Sequence, residues 1–401
     1  MAQAKKAKTA NKPEVRKSEV VEPTQQTDYE GNPLPDLPDL SWMGNTFQWG
    51  TKALPEKYGG GLTLAGINIG IYGDIPEHIP HRNRLPRGAV PVVSAGNIGG
   101  YYIQDKYEQW ADSSPYLYEE AISRRWASAT DIPWDTGHGL SDDVEVAIAQ
   151  VATELSNWGS VETEVVSAWL QNLSPGYHEV KYFLSTAVYD SSRMEEGYRK
   201  RAMLNGAGMM LESPGRMNRA CLESYGSWSN TVLFMWLLRG SLMQAIVRYL
   251  SVYGPTEADR ELAFRVLPDI MRKSAYACDH IRFAISKKPE LTTVFNAGLT
   301  VAEFSQLSDF NDSVLWEALA IIFGDGVENM DQGMEMVLEL QQYFVQTYID
   351  KCNQANLGRE AQTRSGAWAG ILMGVPMTGH ATPDEMRAQV AAIMQKNSGK
   401  K

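Results

Sequence analysis

The feature that most restricts this chain is a row of apolar residues at alternating spacings of four and three: Val144, Ile148, Val151, Leu155, Trp158, Val165 and Trp169. Such a row lies on one side of an α-helix and faces a partner helix. Its missing member, position 162, is a glutamate. A carboxylate there is costly unless it is paired, protonated or bound to metal. Glu162 therefore either reaches water at the rim or belongs to a polar site between helices.

The following segment repeats the spacing with Val180, Leu184, Ala187, Ser191, Met194, Tyr198 and Ala202. Periodicity alone puts Ser191 and Met194 on the inward face. Neither suits a hard metal ion, because a thioether is soft and a neutral hydroxyl weak. Glu195 lies about 40° around the helix from Ser191, so it is either a solvated edge residue or one that turns inward. A third helix is expected over 227–253, where Val232, Met235, Met243, Ile246 and Leu250 flank Arg239, a candidate to neutralise Glu162. Pro255-Thr256 with Asp259 opens a fourth, running to about 286. Its apolar side carries Val266, Ile270, Ala277, Ile281 and Ala284, with His280 beside it as a core histidine or a ligand. Asp279 is expected to be exposed. Further helices are expected at 114–129, 312–322 and 332–356. Nothing in this part alternates like a strand, so the expected fold class is all-α.

Three regions are expected: a tail at 1–40 too poor in apolar residues to order itself, a Gly/Pro-rich irregular arm at 41–115, and a helical domain at 116–395. The arm's glycines do not follow the G-x-G-x-x-G spacing of a nucleotide cradle. A net charge of -11, with the excess of basic residues confined to the first 27 positions, argues against nucleic acid as a partner. Cys221, Cys278 and Cys352 are far apart and lack CxxC spacing, which fits a reducing cytoplasm. The most apolar run, VLFMWLLRGSLMQAIV, is short and interrupted by Arg239, so no membrane span is expected.

The segments RRWASATDIPWD and LSPGYHEVKYFLSTAVYDSSRMEEGYRKRAMLNG resemble ferritin-like di-iron oxygenases of the p-aminobenzoate N-oxygenase and multicomponent monooxygenase type, over about 115–290. The resemblance implies a ferritin-like helical bundle in which each of two helix pairs gives a Glu and then a Glu-x-x-His, the first embedded in a D-E-A-R-H run. Laid on this chain, that run becomes Asp190-Ser191-Ser192-Arg193-Met194. The second is placed on Tyr276-Ala277-Cys278-Asp279-His280. The isolated glutamates fall at Glu162 and near Gln244. The remnant positions are thus Glu162, Ser191, Met194, Gln244, Ala277 and His280. No His in the chain has a Glu three residues before it.

Two ferrous ions need more negative charge than this set offers. The expectation is a metal-free, non-catalytic scaffolding subunit of a multicomponent di-iron monooxygenase. It would have no cofactor or catalytic residue of its own, with the di-iron centre in a paralogous iron-bearing partner and a reductase supplying electrons. Two alternatives stand beside it. One is a single-chain oxygenase binding metal through Glu162, Glu195 and His280. The other is a helical ligand-binding or structural protein.

Overall fold

Local sequence favours the start of two of the long helices. In the computed structural model, Asp142, Asp143 and Glu145 fill the first turn of one. In another, Thr256 and Asp259 form a reciprocal capping box. The structure describes residues 60–68, 73–79 and 103–378, together with 30 and 87 and apart from 225. Met1–Gly50 and Thr51–Lys401 are separate units, and the elements below belong to the second. The expected tail at 1–40, most of the arm and positions 379–395 lie outside the described residues.

The helices are α1 (Ser114–Ser123), α2 (Asp142–Asn172), α3 (His178–Met203), α4 (Arg216–Glu223), α5 (Trp228–Tyr253), α6 (Glu257–Lys287), α7 (Leu291–Asn311), α8 (Leu315–Gly324), α9 (Met330–Gln354), α10 (Glu360–Ser365) and α11 (Ala369–Leu372). Among the described residues there is no strand, only the isolated bridges His78–Asp105 and Ile103–Leu173. The fold is an all-α bundle.

Helix α2 lies along α3, α5 lies along α6, and the two pairs meet where α3 packs on α6. Close approach depends on small residues. A Cβ at Gly159 of α2 would sit 2.9 Å from the Ser191 carbonyl oxygen, and one at Gly197 of α3 would sit 2.6 Å from Leu262 of α6. Outside this core, α8 packs on α2, and α9 packs on α5 and α8.

Within α5, Leu233–Arg239 is wound as a π-helix. Such a segment inserts a residue and leaves carbonyls short of their usual donors. The Ser274 and Ser241 hydroxyls donate to the Trp236 and Leu237 carbonyls at 3.1 and 2.6 Å. The run expected to be too short for a bilayer is part of this 26-residue helix, long and apolar enough to cross one by composition. The helix runs through Arg239, as the expected span 227–253 has it, and 83% of its most apolar window is buried among other helices.

The described arm residues dock at the α2–α3 turn. Arg87 clamps Glu179 with bonds of 2.5 and 3.1 Å, and the Tyr177 hydroxyl donates to the Pro76 carbonyl at 2.9 Å.

Candidate functional site

At the centre of the bundle Glu162 of α2, Ser191 of α3 and Lys273 of α6 meet, all buried. Ser191 Oγ donates to Glu162 Oε2 at 2.9 Å, and Lys273 Nζ donates to Ser191 Oγ at 3.0 Å. Lys273 Nζ also forms a direct ion pair with Glu162 Oε2. Glu162 Oε1 has no protein partner. A buried ammonium on a buried carboxylate meets the charge demand on Glu162, with the hydroxyl fixing the geometry.

Beside this trio lies a network of four buried charges, joined at its edge by Glu120 of α1, which pairs with Arg272 at 2.8 Å. Arg193 donates to Asp190 at 2.5 Å and to Asp269 at 2.9 Å. Arg272 donates to Asp190 at 2.8 Å and also pairs with Asp269. Trp126, from the RRWASATDIPWD segment, donates its indole N–H to Asp269 at 3.1 Å, and its ring lies 4.7 Å from the Arg193 guanidinium. Burial first, and then the charge of Asp190, push the Asp269 carboxyl up to about 6 against the pull of both arginines.

The network exposes an internal two-fold relation. One constant spacing along the chain takes Phe183 to Leu262, Asp190 to Asp269, Arg193 to Arg272 and Gly197 to Tyr276. Phe183 stacks on Tyr276 at 5.0 Å between ring centres, and its image is the close approach of Gly197 to Leu262. The same spacing takes Ser191 to Ile270 and Met194 to Lys273. The counterpart of the Asp190-Ser191-Ser192-Arg193-Met194 run is therefore Asp269-Ile270-Met271-Arg272-Lys273, one to two turns before the stretch containing Ala277 and His280.

The structure thus brings together only part of the expected set. Glu162, Ser191 and the buried Met194 lie where periodicity puts them. Gln244 is elsewhere, 3.4 Å from the Tyr343 hydroxyl on α9. Ala277 is buried in apolar packing. His280, seven residues or about 10 Å along α6 from Lys273, donates from Nδ1 to the Trp110 carbonyl at 3.0 Å, so its Nε2 accepts from the Ser229 hydroxyl at 2.9 Å. Burial lowers its pKa to about 4, and the bond to Trp110 only partly opposes that. His280 is a neutral core histidine with both nitrogens used.

Glu195 is half-exposed, 3.9 Å from Arg199. Arg239 does not neutralise Glu162. Its guanidinium turns to Asn218 of α4 instead, with Nε and Nη2 left unpartnered. Asp279 is buried rather than exposed, because it accepts the Ser113 N–H at 2.8 Å and caps α1.

Lys273 is the residue that sequence reasoning missed. The available signal was the recurrence of Asp-x-x-Arg at 190–193 and 269–272, which a search for ligand-type residues passes over. At the four positions following that pattern in the two runs stand Ser191, Met194, Ile270 and Lys273. An aliphatic side chain offers no donor atom, and a paired ammonium is a competing cation. This set does not fit a di-iron cluster. Among the described residues, no three of His, Cys, Asp and Glu are grouped to hold a metal ion.

No protein-family model and no curated protein matches the chain. Two solved structures are similar to it. One is an R2-like ligand-binding oxidase variant with an aerobically reconstituted Mn/Fe cofactor, at TM-score 0.49 and 12% identity, covering 60% of this chain and 92% of that one. The other is a variant described as an R2-like ligand-binding oxidase with an anaerobically reconstituted Mn/Fe cofactor, at TM-score 0.46 and 13% identity, covering 62% and 92%.

Proposed function

We propose that this chain is a metal-free, non-catalytic subunit of a multicomponent di-iron monooxygenase, retained for assembly beside a paralogous iron-bearing chain that a reductase supplies with electrons. The observation that carries the reading is the Glu162–Lys273 ion pair. In the frame set by the two Asp-x-x-Arg runs, Lys273 stands at the position where the resembled pattern has its second histidine. Its charge compensates Glu162 internally, so loading a divalent ion there would require breaking a buried ion pair. The unorthodox set Glu162, Glu195 and His280 does not converge, since each is engaged with a different partner. Three buried free thiols are consistent with a reducing cytoplasm.

Elemental analysis of the chain purified after expression in iron-supplemented medium tests the reading. Far less than one iron per chain is expected, with an iron-containing homologue co-purifying from the native source. Near-stoichiometric iron that is lost on Glu162→Ala would overturn it. Isolation of the chain alone, bearing a small organic ligand, would favour the ligand-binding alternative.

A further inference from the structure

Helix α7 has an unusual surface. Its only charged residues, Glu303 and Asp309, are both buried. Its open side shows Thr293, Val294, Ala297, Thr300, Val301 and Phe304, with Val294, Val301 and Phe304 each more than half exposed. A helix that is apolar all round is ordinarily enclosed. Beside this face runs a groove of about 540 Å³, walled on one side by Thr293, Ala297, Thr300 and Phe304 and on the other by Gln362, Ser365, Gly366 and Ala367. Its floor is the buried Arg359–Glu303 ion pair, with a bond of 2.8 Å. Small residues dominate both walls, so a helix backbone can approach closely.

We propose that this groove is the docking site for the chain's own segment 383–396. The described chain ends on α9, which also touches the groove's floor. Met377 is tied to Gln341 of α9 by bonds of 2.9 and 2.8 Å, and Tyr348, two turns further along α9, bonds Glu303 of α7 at 2.8 Å. The four residues 379–382 span up to about 13 Å. After them comes Thr382-Pro383-Asp384-Glu385, a helix-start pattern with a capping-box spacing and proline at the first position. Met386, Val390, Ile393 and Met394 follow at helical spacing, with Ala388, Ala391 and Ala392 between them. Fourteen helical residues extend about 21 Å, enough to cover the stripe of about 15 Å from Val294 to Phe304. An uncharged face meets a segment whose charges sit at its two ends and at Arg387.

The full chain carrying Val301→Cys and Ile393→Cys tests this, since the three native cysteines are buried. Mild oxidation is expected to give a disulfide within one chain, located by peptide mapping. Truncation after Thr378 is expected to raise the binding of an apolar fluorescent dye several-fold and to speed hydrogen exchange in α7. A disulfide only between chains would overturn the proposal in favour of a second copy on this face. Failure to crosslink, with dye binding indifferent to truncation, would overturn it in favour of an open face or a different protein partner.

Discussion

The α2–α3 pair and the α5–α6 pair are built on one plan and diverge where chemistry would be expected. Both carry Asp and Arg three residues apart, and these four side chains neutralise one another across the crossing of α3 and α6. Within that frame the first pair presents Glu162 and Ser191, whereas the second presents Ile270 and Lys273. The charges that join the halves are held in common, and the groups between them are complementary instead of matching. A carboxylate from one half is balanced by an ammonium from the other, a stable arrangement without any added ion.

The largest effect is expected from Lys273→Met, which leaves Glu162 buried without a cation. A loss of about 3–5 kcal/mol is expected in urea unfolding. Adding Glu162→Gln should recover most of it, because a buried pair replaced by neutral groups is often tolerated. If Lys273→Met is silent, the buried Glu162 does not depend on that ammonium.

Each pair also holds a buried titratable group outside that frame, and these two pull stability in opposite directions with pH. His280 on α6 titrates near 4 in the folded chain and near 6.5 when unfolded. Its contribution is present above 6.5 and is lost as pH falls toward 4, by about 3 kcal/mol. His280→Gln should flatten that acid limb. Glu154 on α2 is pushed up to about 7, by burial first, against the Ser213 hydrogen bonds. Its contribution is present below 4.5 and is lost as pH rises through 7. Glu154→Gln should therefore stabilise the chain at pH 8 by up to about 3 kcal/mol.

Asp190→Asn and Asp269→Asn test whether the shared frame is equivalent in its two halves. At pH 7 each should cost about 1.5–3 kcal/mol. Asp269→Asn should cost less at pH 5, where its own carboxyl is mostly protonated. Unequal losses at pH 7 would show that the internal two-fold is only geometric. The smallest effect belongs to Glu195→Gln, expected to stay below about 0.5 kcal/mol because the pair with Arg199 is long and partly solvated.

The long helices were legible because one face of each is apolar and the other is not. Expected starts at Asp142 and after Thr256 agree with the structure, and the inward placement of Ser191 and Met194 followed from spacing alone. Helix α7 escaped because its open side carries apolar residues while its two charged ones, Glu303 and Asp309, are buried, so no period stood out. That property also makes its open side a surface to be covered. The second half of the site was misplaced because His280 drew the comparison to ligand-type residues. The repeated Asp-x-x-Arg, which carries the packing, marked the correct register.

By itself, the sequence determined an all-α chain, the helices that line its centre, and the absence of any Glu-x-x-His to hold paired irons. Only the tertiary structure decided what answers the buried Glu162. Periodicity says which side of a helix a residue occupies, but not which distant helix turns toward it. Lys273 lies 111 residues away, and Arg239, on a π-wound segment, turns to α4 instead.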